Sequence, residues 1–312
     1  MVLEWFCGIG GFSFAFPHLC AVGIDVNRNG LETFEANFQS TCWSAQPQPA
    51  KGHFHCCADI TTIDLTAQNL ANADGWWMSP PCQPFTSRGQ CRDHEDPRSR
   101  ALLRLLQLIP VFQPNWLALE NVPGFGESKS REMLIEQLQK VGYKFREYLI
   151  CPTEAGIPNR RQRYYLVASQ SESPLPVRFD NVKSLTLADF VDRSCGNVDE
   201  RELEVSQQLV DAYRSAMHII QLNQQHEIAN CFTSAYGNSP VRAGSYLEFA
   251  SSVRRFSPLE IARLLGFPDS FFWPTHLSLR QKWKLIGNSI SVFVVRELLS
   301  QSLPAIFHSN RD

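Results

Sequence analysis

The sequence predicts an α/β protein with a doubly wound parallel sheet and a second, smaller domain. Two observations predict the sheet: apolar, strand-like segments alternate with helix-like segments, and these strands end in glycine turns or polar residues. In a parallel sheet such strand ends meet at one edge, where ligands bind. The second domain is predicted because the alternation stops at Ser169 and does not resume before about residue 253.

The composition is typical of a globular protein, with 44% hydrophobic and 19% charged residues in a chain of 312. No apolar run is long enough for a membrane helix, and the N-terminus lacks the basic start of a signal peptide. The ten cysteines include no CxxC pair, so we expect neither a zinc ribbon nor a disulfide framework. We therefore expect a reducing, intracellular compartment and no metal.

The formal net charge of −2 argues against a protein that coats nucleic acid without specificity. Arginines nevertheless cluster in three places, and together they favour a local cleft that follows phosphates. Each cluster alone is more typical of a solvated surface than of a ligand site. The clusters are Arg88, Arg92, Arg98, Arg100 and Arg104; Arg160, Arg161 and Arg163; and Arg254 and Arg255.

The first βα unit spans the N-terminus. Residues 2–6 are predicted as a strand, Cys7-Gly8-Ile9-Gly10-Gly11 as a glycine turn and residues 12–19 as a helix. Glycines let a backbone approach a ligand closely, and a helix N-terminus offers free N–H groups. The turn is also compatible with a plain tight turn, and it lacks the dinucleotide fingerprint because its sixth position is Ser13.

Two further strand ends carry carboxylates. Asp25 ends the strand predicted over residues 21–26. Its carboxylate suits the ribose hydroxyls of an adenosine cofactor, and it equally suits the N-cap of a helix over residues 27–38. Asp59 ends the third strand, at residues 57–61.

The most constrained stretch is Met78-Ser79-Pro80-Pro81-Cys82-Gln83-Pro84-Phe85-Thr86. Three prolines fix their own φ angles and favour extended conformations before them. A cysteine is thus held on a stiff loop after a buried strand. Most cysteines are small buried hydrophobes, but this loop is heavily constrained for so small a side chain, which indicates a functional residue.

A leucine-rich helix over residues 99–112 precedes a strand, residues 116–119, that runs into Glu120-Asn121-Val122-Pro123-Gly124. An acid at this position could cap a helix, but the following glycines argue against a helix here. A helix over residues 131–141 should end at Gly142, and strands follow over residues 144–150 and 164–168. We expect the polar segment 87–97 to be mobile.

Residues 170–182 resemble a linker, and residues 200–225 are polar and predicted as a helix. Capping boxes at residues 257–260 and 278–281 predict two helix starts. The last helix, residues 290–299, is too apolar to be exposed, so the chain end should return to the large domain. We predict a large domain of residues 1–169 plus 286–312 and a small one of residues 170–285.

Five motifs occur in an order that resembles the cytosine-C5 methyltransferases over nearly the whole chain. They are Phe6-Cys7-Gly8-Ile9-Gly10-Gly11, Ser79-Pro80-Pro81-Cys82, Glu120-Asn121-Val122, Arg161-Gln162-Arg163 and Gly287-Asn288-Ser289. The similarity is greatest to the small eukaryote-type branch that methylates the anticodon loop of aspartate tRNA. Three stretches carry it: Ser79 to Thr86, Cys231-Phe232-Thr233, and Ile261-Ala262-Arg263-Leu264-Leu265-Gly266-Phe267-Pro268. Ser87-Arg88-Gly89 departs from the usual members of that branch.

The resemblance implies a Rossmann-like S-adenosylmethionine-dependent methyltransferase sheet, with a target-recognition domain as the smaller part. It implies that the Cys82 thiolate attacks C6 of cytosine, which makes C5 enamine-like. Glu120, as an acid with its pKa raised by burial, would hydrogen-bond N3. Arg163 would clamp the base, and Arg161 would support the loop and neutralise charge.

The resemblance also implies binding residues for the cofactor S-adenosylmethionine, which leaves as S-adenosylhomocysteine, and for the substrate. The cofactor residues would be Phe6, Gly8, Ile9, Gly10, Gly11, Asp25, Val26, Asp59, Ile60, Ser79, Asn288 and Ser289. The substrate residues would be Arg88, Arg160, Cys231, Phe232 and Thr233.

We expect tRNA, and first aspartate tRNA, as the partner, because the predicted recognition region is short and the chain is slightly acidic. DNA is the alternative substrate. A pseudoenzyme that binds nucleic acid or cofactor without turnover is the alternative from another class, and an NAD-dependent oxidoreductase is a remote one. We expect a cytoplasmic monomer, with the nucleus open if the source is eukaryotic, and no membrane partner.

Overall fold

The computed structural model describes residues 1–43, 52–86, 92–180, 182–191, 200–222, 227–249 and 252–307. The chain divides into two compact units. The first comprises Met1–Ile150, Gln162–Arg178 and Val294–Asp312, and the second comprises Cys151–Arg161 and Phe179–Phe293. Within the described residues, no helix has both the length and the apolar character that a membrane crossing needs.

The first unit contains an eight-stranded sheet. Its strands are β1 (Val2–Trp5), β2 (Ala21–Asp25), β3 (Thr41–Cys42), β4 (His53–Cys57), β5 (Gly75–Met78), β6 (Trp116–Asn121), β7 (Lys144–Ile150) and β9 (Arg163–Ser169). Their order is β3-β4-β2-β1-β5-β6-β9-β7. All pairs are parallel except those of β9, which is antiparallel to both neighbours. The predicted α/β fold is confirmed, and the sheet is parallel as predicted except at β9.

The strand order creates the place for a ligand. From β1 the chain builds β2, β3 and β4 on one side and then β5 and β6 on the other. At such a switch point the loops after β1 and β5 diverge and leave a crevice at the carboxyl edge of the sheet. All residues of the adjoining strands β1, β5 and β6 are buried, so this edge of the sheet rests on a rigid core.

Four helices connect these strands: α1 (Gly11–Ala15), α2 (Arg28–Phe38), α3 (Arg100–Phe112) and α4 (Lys129–Val141). Helix α1 is shorter than predicted, because Pro17 lies just beyond its end and cannot continue the hydrogen-bond ladder. Helix α4 starts at the Ser128 N-cap and ends at Gly142, which has φ 88°. That end confirms the predicted glycine stop.

The second unit has small sheets and short helices. Its strands are β8 (Asn159–Arg160), β10 (His218–Ile220), β11 (Ala229–Asn230), β12 (Ser245–Phe249) and β13 (Ser252–Arg255). Its helices are α5 (Glu200–Leu203), α6 (Gln207–Tyr213), α7 (Pro258–Leu264) and α8 (Leu279–Gly287); α9 (Val292–Ser302) and α10 (Pro304–Phe307) end the chain. β12 lies between β10 and β13, and β8 pairs with β11.

The helix predicted over residues 200–225 is wrong. Helices α5 and α6 cover only parts of it, and β10 follows them. The residues His218, Ile219 and Ile220 pair with β12 in parallel register. Pairing with a strand that is distant in sequence overrides the local helix preference.

The boundaries of the compact units differ from those predicted at 169/170 and 285/286. Residues after Ser169 stay with the first unit because Arg146 Nε donates to Pro174 O at 2.8 Å and Tyr148 Oη donates to Leu175 O at 2.6 Å. From Val294 the apolar chain end also belongs to this unit. There Arg296 Nε donates to the Ala15 carbonyl, which lies at the end of α1, at 3.2 Å. The role of the second unit in target recognition stays a prediction.

Residues 92–97, which we expected to be mobile, are folded in short 3-10 turns. The Asp93 carboxylate accepts hydrogen bonds from the backbone N–H groups of Lys129 and Ser130 at the start of α4. Asp96 is paired with Arg98 Nη2 at 2.6 Å. These contacts fix the segment to the first unit; residues 87–91 lie outside the described residues.

Candidate active site

The register of β9 explains why Glu120 and Arg163 meet. Antiparallel pairing sets Glu120 of β6 opposite Tyr165 and Asn121 opposite Tyr164. The start of β9 therefore lies at the edge where β6 ends. Arg163 Nε is 3.2 Å from Glu120 Oε1, and the two side chains are only 14% and 10% exposed. A cation and a carboxyl group thus lie next to each other, largely shielded from solvent, beside the strand ends.

The Cys82 loop is held from two sides. Trp77 Nε1 donates to Ser79 Oγ at 2.8 Å, and Asn121 Nδ2 donates to the Pro80 carbonyl at 3.0 Å. Beyond the prolines, the Phe85 N–H donates to the Cys82 carbonyl at 2.9 Å and closes a 3-10 turn. Cys82 is half-buried, and these bonds fix the backbone of the loop that carries it. The Asn121 amide joins this loop directly to the strand that carries Glu120.

A cavity of about 510 Å³ opens beside these two loops. Its lining includes Phe85 and Thr86 from the turn after Cys82, and Val122, Pro123 and Glu127 from the turn after Glu120. The volume lies in the range of small-ligand pockets. The turn after the candidate nucleophile and the turn after the candidate acid therefore border one cavity, although neither Cys82 nor Glu120 is among its lining residues.

The glycine loop after β1 has an unusual backbone. Phe6, Gly8 and Gly10 have φ values of 58°, 53° and 87°. A positive φ is common for glycine, but it costs a bulky residue such as Phe6 about 1–3 kcal/mol of conformational energy. A Cβ added to Gly8 would meet no atom within 4 Å, so the space above this residue is open. A strained, open turn at the switch point fits a cofactor cradle better than a plain tight turn.

Asp25 holds this loop. Its Oδ2 accepts from the Gly8 N–H and its Oδ1 from the Asn27 N–H, both at 2.8 Å. Burial raises the pKa of this carboxyl, and the backbone N–H groups of Asn27 and Gly8 oppose the rise. The N-cap of α2 is Asn27, whose side chain accepts from the Gly30 N–H, and not Asp25. Each carboxylate oxygen keeps a lone pair for a ribose hydroxyl.

Glu4 is a buried acid that the sequence analysis missed. It lies in β1 beneath the glycine loop and is 2% exposed. Its oxygens accept from the Phe12 N–H at 2.9 Å, the Ser13 N–H at 3.1 Å and the Ser13 hydroxyl at 2.6 Å. Burial raises the pKa of Glu4 to about 7, against these hydrogen bonds. The only signal in the sequence was a charged residue inside an apolar strand.

The remaining cofactor residues of the first unit have different surroundings. Val26 is 64% exposed next to Asp25, an apolar surface available to an adenine ring. Asp59 is exposed, and its Oδ1 accepts from the backbone and hydroxyl of Thr61, both at 2.8 Å. Ile9 and Ile60 are buried, so only their backbones are available, and Gly11 begins α1. An open glycine turn, carboxylates at the strand ends and exposed Val26 fit S-adenosylmethionine.

In the second unit, Arg161 joins two segments. Its Nη1 donates to Cys231 Sγ at 3.3 Å and to the Phe232 carbonyl at 2.9 Å. Its Nη2 donates to the carbonyls of Gly287, at 3.3 Å, and Ser289. The buried Arg161 side chain thus connects the Cys231–Phe232 segment to the Gly287–Ser289 segment, and its role in catalysis stays a prediction.

The other predicted residues of this unit differ in exposure. Phe232 is 2% exposed and packs on Tyr236 and Phe256, so any contact with a substrate would come from its backbone. Thr233 and Ser289 are half-buried, and Arg160 and Asn288 are exposed. Arg88 lies outside the described residues. The assignments of Arg160, Cys231, Phe232, Thr233, Asn288 and Ser289 stay predictions.

No metal site is evident in the described part of the chain, where no three His, Cys, Asp or Glu side chains are grouped to hold an ion. None of the eight cysteines described there forms a disulfide.

A family model described as C-5 cytosine-specific DNA methylase matches residues 1–303. The chain is 30% identical to the tRNA (cytosine(38)-C(5))-methyltransferase of Schizosaccharomyces pombe, over 96% of this chain and 95% of that one. It is 26% identical to a DNA (cytosine-5)-methyltransferase of Dictyostelium discoideum, over 96% and 93%. The crystal structure of S. pombe Dnmt2 methyltransferase superposes with a TM-score of 0.79 at 28% identity, covering 98% of each chain.

Proposed function

We propose that the substrate of this protein is tRNA. The chain belongs to the C-5 cytosine-specific DNA methylase family and is thus an S-adenosylmethionine-dependent cytosine-C5 methyltransferase. The target is a cytosine in the anticodon loop, first of all in aspartate tRNA. The observation that carries the proposal is the end-to-end similarity to a relative named for cytosine 38 of tRNA. Cys82, Glu120 and Arg163 supply the catalytic groups for that reaction.

Cys82 is the proposed nucleophile. C5 of cytosine is a weak nucleophile in an aromatic ring, and addition of a thiolate to C6 breaks the aromaticity and makes C5 enamine-like. The half-buried thiol lies on a loop fixed by Trp77 and Asn121, so little motion is needed when the base arrives. Loss of the C5 proton and departure of the thiolate later restore the ring.

Glu120 and Arg163 act on the base as a pair. Negative charge moves into the ring when the thiolate adds, and a proton shared between Glu120 and N3 would stabilise it, although the Arg163 guanidinium by itself favours the ionised form of Glu120. The Arg163 guanidinium, 3.2 Å from Glu120, orients that carboxyl and adds positive charge near the base carbonyl. Because both side chains are nearly buried, these interactions are only weakly screened by water.

The open glycine turn, Asp25 and Val26 would hold the cofactor at the switch point. When bound, S-adenosylmethionine supplies an electrophilic methyl group. Asp25 would orient ribose hydroxyls, and the turn with positive φ values at Phe6, Gly8 and Gly10 leaves open space at Gly8 for the ligand.

A loop cytosine suits this site because an unpaired base leaves its stack at lower cost than a base in a duplex. DNA is the second candidate, favoured by the similarity to the Dictyostelium protein named for DNA. We also propose that the protein acts in the cytoplasm, since cysteines without CxxC spacing suit a reducing compartment. We further propose that it is a monomer.

The test is methyl transfer from labelled S-adenosylmethionine to total tRNA and to duplex DNA at equal nucleotide concentration. The proposal predicts label in tRNA that disappears with Cys82→Ala. Label in DNA alone would keep the chemistry and overturn the tRNA substrate. Label in neither would favour a protein that binds nucleic acid without turnover.

A further inference from the structure

Three aromatic rings in the first unit contact one another in series, edge-on or tilted, and this series is called the ring stack below. The Phe85 and Phe125 ring centroids are 4.9 Å apart at 86°, and those of Phe125 and Tyr164 are 5.2 Å apart at 51°. The three residues are 8%, 0% and 5% exposed. Phe125 and Tyr164 are too buried to contact a substrate, and Phe85 only borders the cavity beside the Cys82 turn. None of the three supplies a reacting group, so any effect on the reaction must pass through other groups.

Each ring belongs to a different catalytic segment. Phe85 closes the turn after Cys82, because its backbone N–H donates to the Cys82 carbonyl. Phe125 lies in the 3-10 turn Pro123–Glu127, which directly follows the strand that carries Glu120. Tyr164 is the residue after Arg163 in β9. The stack therefore joins the three segments that present the nucleophile, the acid and the arginine.

The far end of the stack is anchored by an ion pair. Tyr164 Oη donates to Glu147 Oε1 at 2.6 Å, and Arg131 Nε and Nη2 donate to the two Glu147 oxygens at 2.5 and 2.7 Å. The Arg131 guanidinium lowers the pKa of Glu147, so the acceptor stays charged. A charged acceptor and a bidentate arginine restrict rotation of the tyrosine.

The glycines beside Phe125 show how closely the segments fit. A Cβ at Gly124 would lie 2.4 Å from the Phe85 carbonyl oxygen, a backbone atom that cannot move without moving the Cys82 turn. A Cβ at Gly126 would lie 3.4 Å from Tyr164 Cδ2, an ordinary contact. Backbone, and not side chain alone, thus sets the separation of the Cys82 turn and the Glu120 turn.

We propose that Phe85, Phe125 and Tyr164 are positioning residues that fix the relative placement of Cys82, Glu120 and Arg163. The proposal rests on the methyltransferase activity of the family and not on the choice of tRNA. A merely structural role would lower stability and leave the rate of each folded molecule unchanged. A positioning role lowers the rate of adduct formation, because small misplacements of reacting groups reduce rates steeply.

The experiment uses two variants that keep all three rings. Tyr164→Phe removes only the hydroxyl that binds Glu147, and Gly124→Ala pushes the Cys82 turn away from the Glu120 turn. Gly126→Ala is the matched control for the second variant. Phe125→Leu, which shortens the stack, is compared with Phe54→Leu, which alters a buried phenylalanine of β4 away from the three segments.

For each variant, kcat and the KM for S-adenosylmethionine are measured with the nucleic acid that the wild-type enzyme methylates. The rate of covalent complex formation with a 5-fluorocytosine version is measured too. In that substrate fluorine replaces the C5 proton, so the elimination that releases Cys82 cannot occur and the adduct persists. We expect kcat and the trapping rate to fall about 10-fold for Tyr164→Phe and about 100-fold for Gly124→Ala. We expect Phe125→Leu to reduce both rates. The KM for S-adenosylmethionine should stay near wild type in all variants, and the controls should keep both rates near wild type.

Wild-type kcat in Tyr164→Phe and Gly124→Ala, with lowered melting temperatures alone, would overturn the positioning role. So would equal losses in the controls. Failure of the tRNA proposal looks different, because the wild-type enzyme itself then leaves tRNA unlabelled. If it labels no nucleic acid, there is no reaction to position and the inference falls as well.

Discussion

The Arg163 guanidinium lies 3.2 Å from the Glu120 carboxylate because an antiparallel strand enters the sheet beside β6. The parallel strands bring the Cys82 and Glu120 loops to one edge, and only a strand of opposite direction can start there. The sheet order thus brings a nucleophile, an acid and a cation together from three separate segments.

Glu120→Gln keeps the shape of this pair and removes the transferable proton. We expect kcat to fall by about 100-fold or more, the usual contribution of a general acid, with cofactor affinity retained. Single-turnover methyl transfer measures the loss of rate, and calorimetric titration measures the affinity for S-adenosylmethionine. Glu132→Gln, on the exposed face of α4, is the control. A rate near wild type in Glu120→Gln would remove this residue from the mechanism.

Asp25→Asn should weaken cofactor binding. Both carboxylate oxygens accept backbone N–H groups, and the amide offers one oxygen and turns an NH₂ group toward a donor. We expect the Kd for S-adenosylmethionine to rise about 10-fold, since an unsatisfied N–H costs about 1–3 kcal/mol. Asp64→Asn, in an exposed turn, is the control. An unchanged Kd would show that the glycine loop does not need this carboxylate.

Glu4 should make stability depend on pH. Its pKa is raised by burial from 4.5 to about 7, so between these values the folded protein holds more protons than the unfolded chain. The contribution is therefore full below 4.5 and declines as pH rises through about 7. Glu4→Gln should flatten this part of the stability curve, measured by urea unfolding across the same pH range. Parallel curves for the two proteins would place the pH dependence elsewhere.

The second unit contains a buried ion pair whose disruption should be costly. Arg254 Nη1 and Nη2 donate to the Glu260 oxygens at 2.9 and 2.8 Å, and the Glu260 side chain is not exposed. Glu260→Gln leaves the arginine charge buried and unpaired, which costs about 3–5 kcal/mol. We expect a melting temperature several degrees lower by differential scanning calorimetry. Glu248→Gln, in the exposed pair with Arg214, should change it little; equal shifts in both would contradict the prediction.

Much of the first unit follows from local sequence. Apolar segments and their polar ends predicted the strands of the sheet core, and Gly142 predicted the end of α4. Proline spacing singled out the Cys82 loop. These features depend on neighbours in sequence, so they can be recognised without the fold.

The remaining features depend on contacts between distant segments. The Asn121 bond to Pro80, the three-ring stack and the Arg161 contacts each join distant parts of the chain. Nothing in a local pattern shows which partner a buried asparagine, phenylalanine or arginine meets. The strand β10 was missed for the same reason, because its stability comes from pairing with β12.

The most direct test of the account traps the covalent intermediate. The enzyme and S-adenosylmethionine are incubated with a tRNA anticodon stem-loop that contains 5-fluorocytosine at the target position, and the crosslinked peptide is identified by mass spectrometry. The account predicts a denaturant-resistant complex with RNA attached to Cys82, and no such complex with Cys82→Ala. A complex that persists in Cys82→Ala, or none from an enzyme that methylates the unmodified stem-loop, would contradict it.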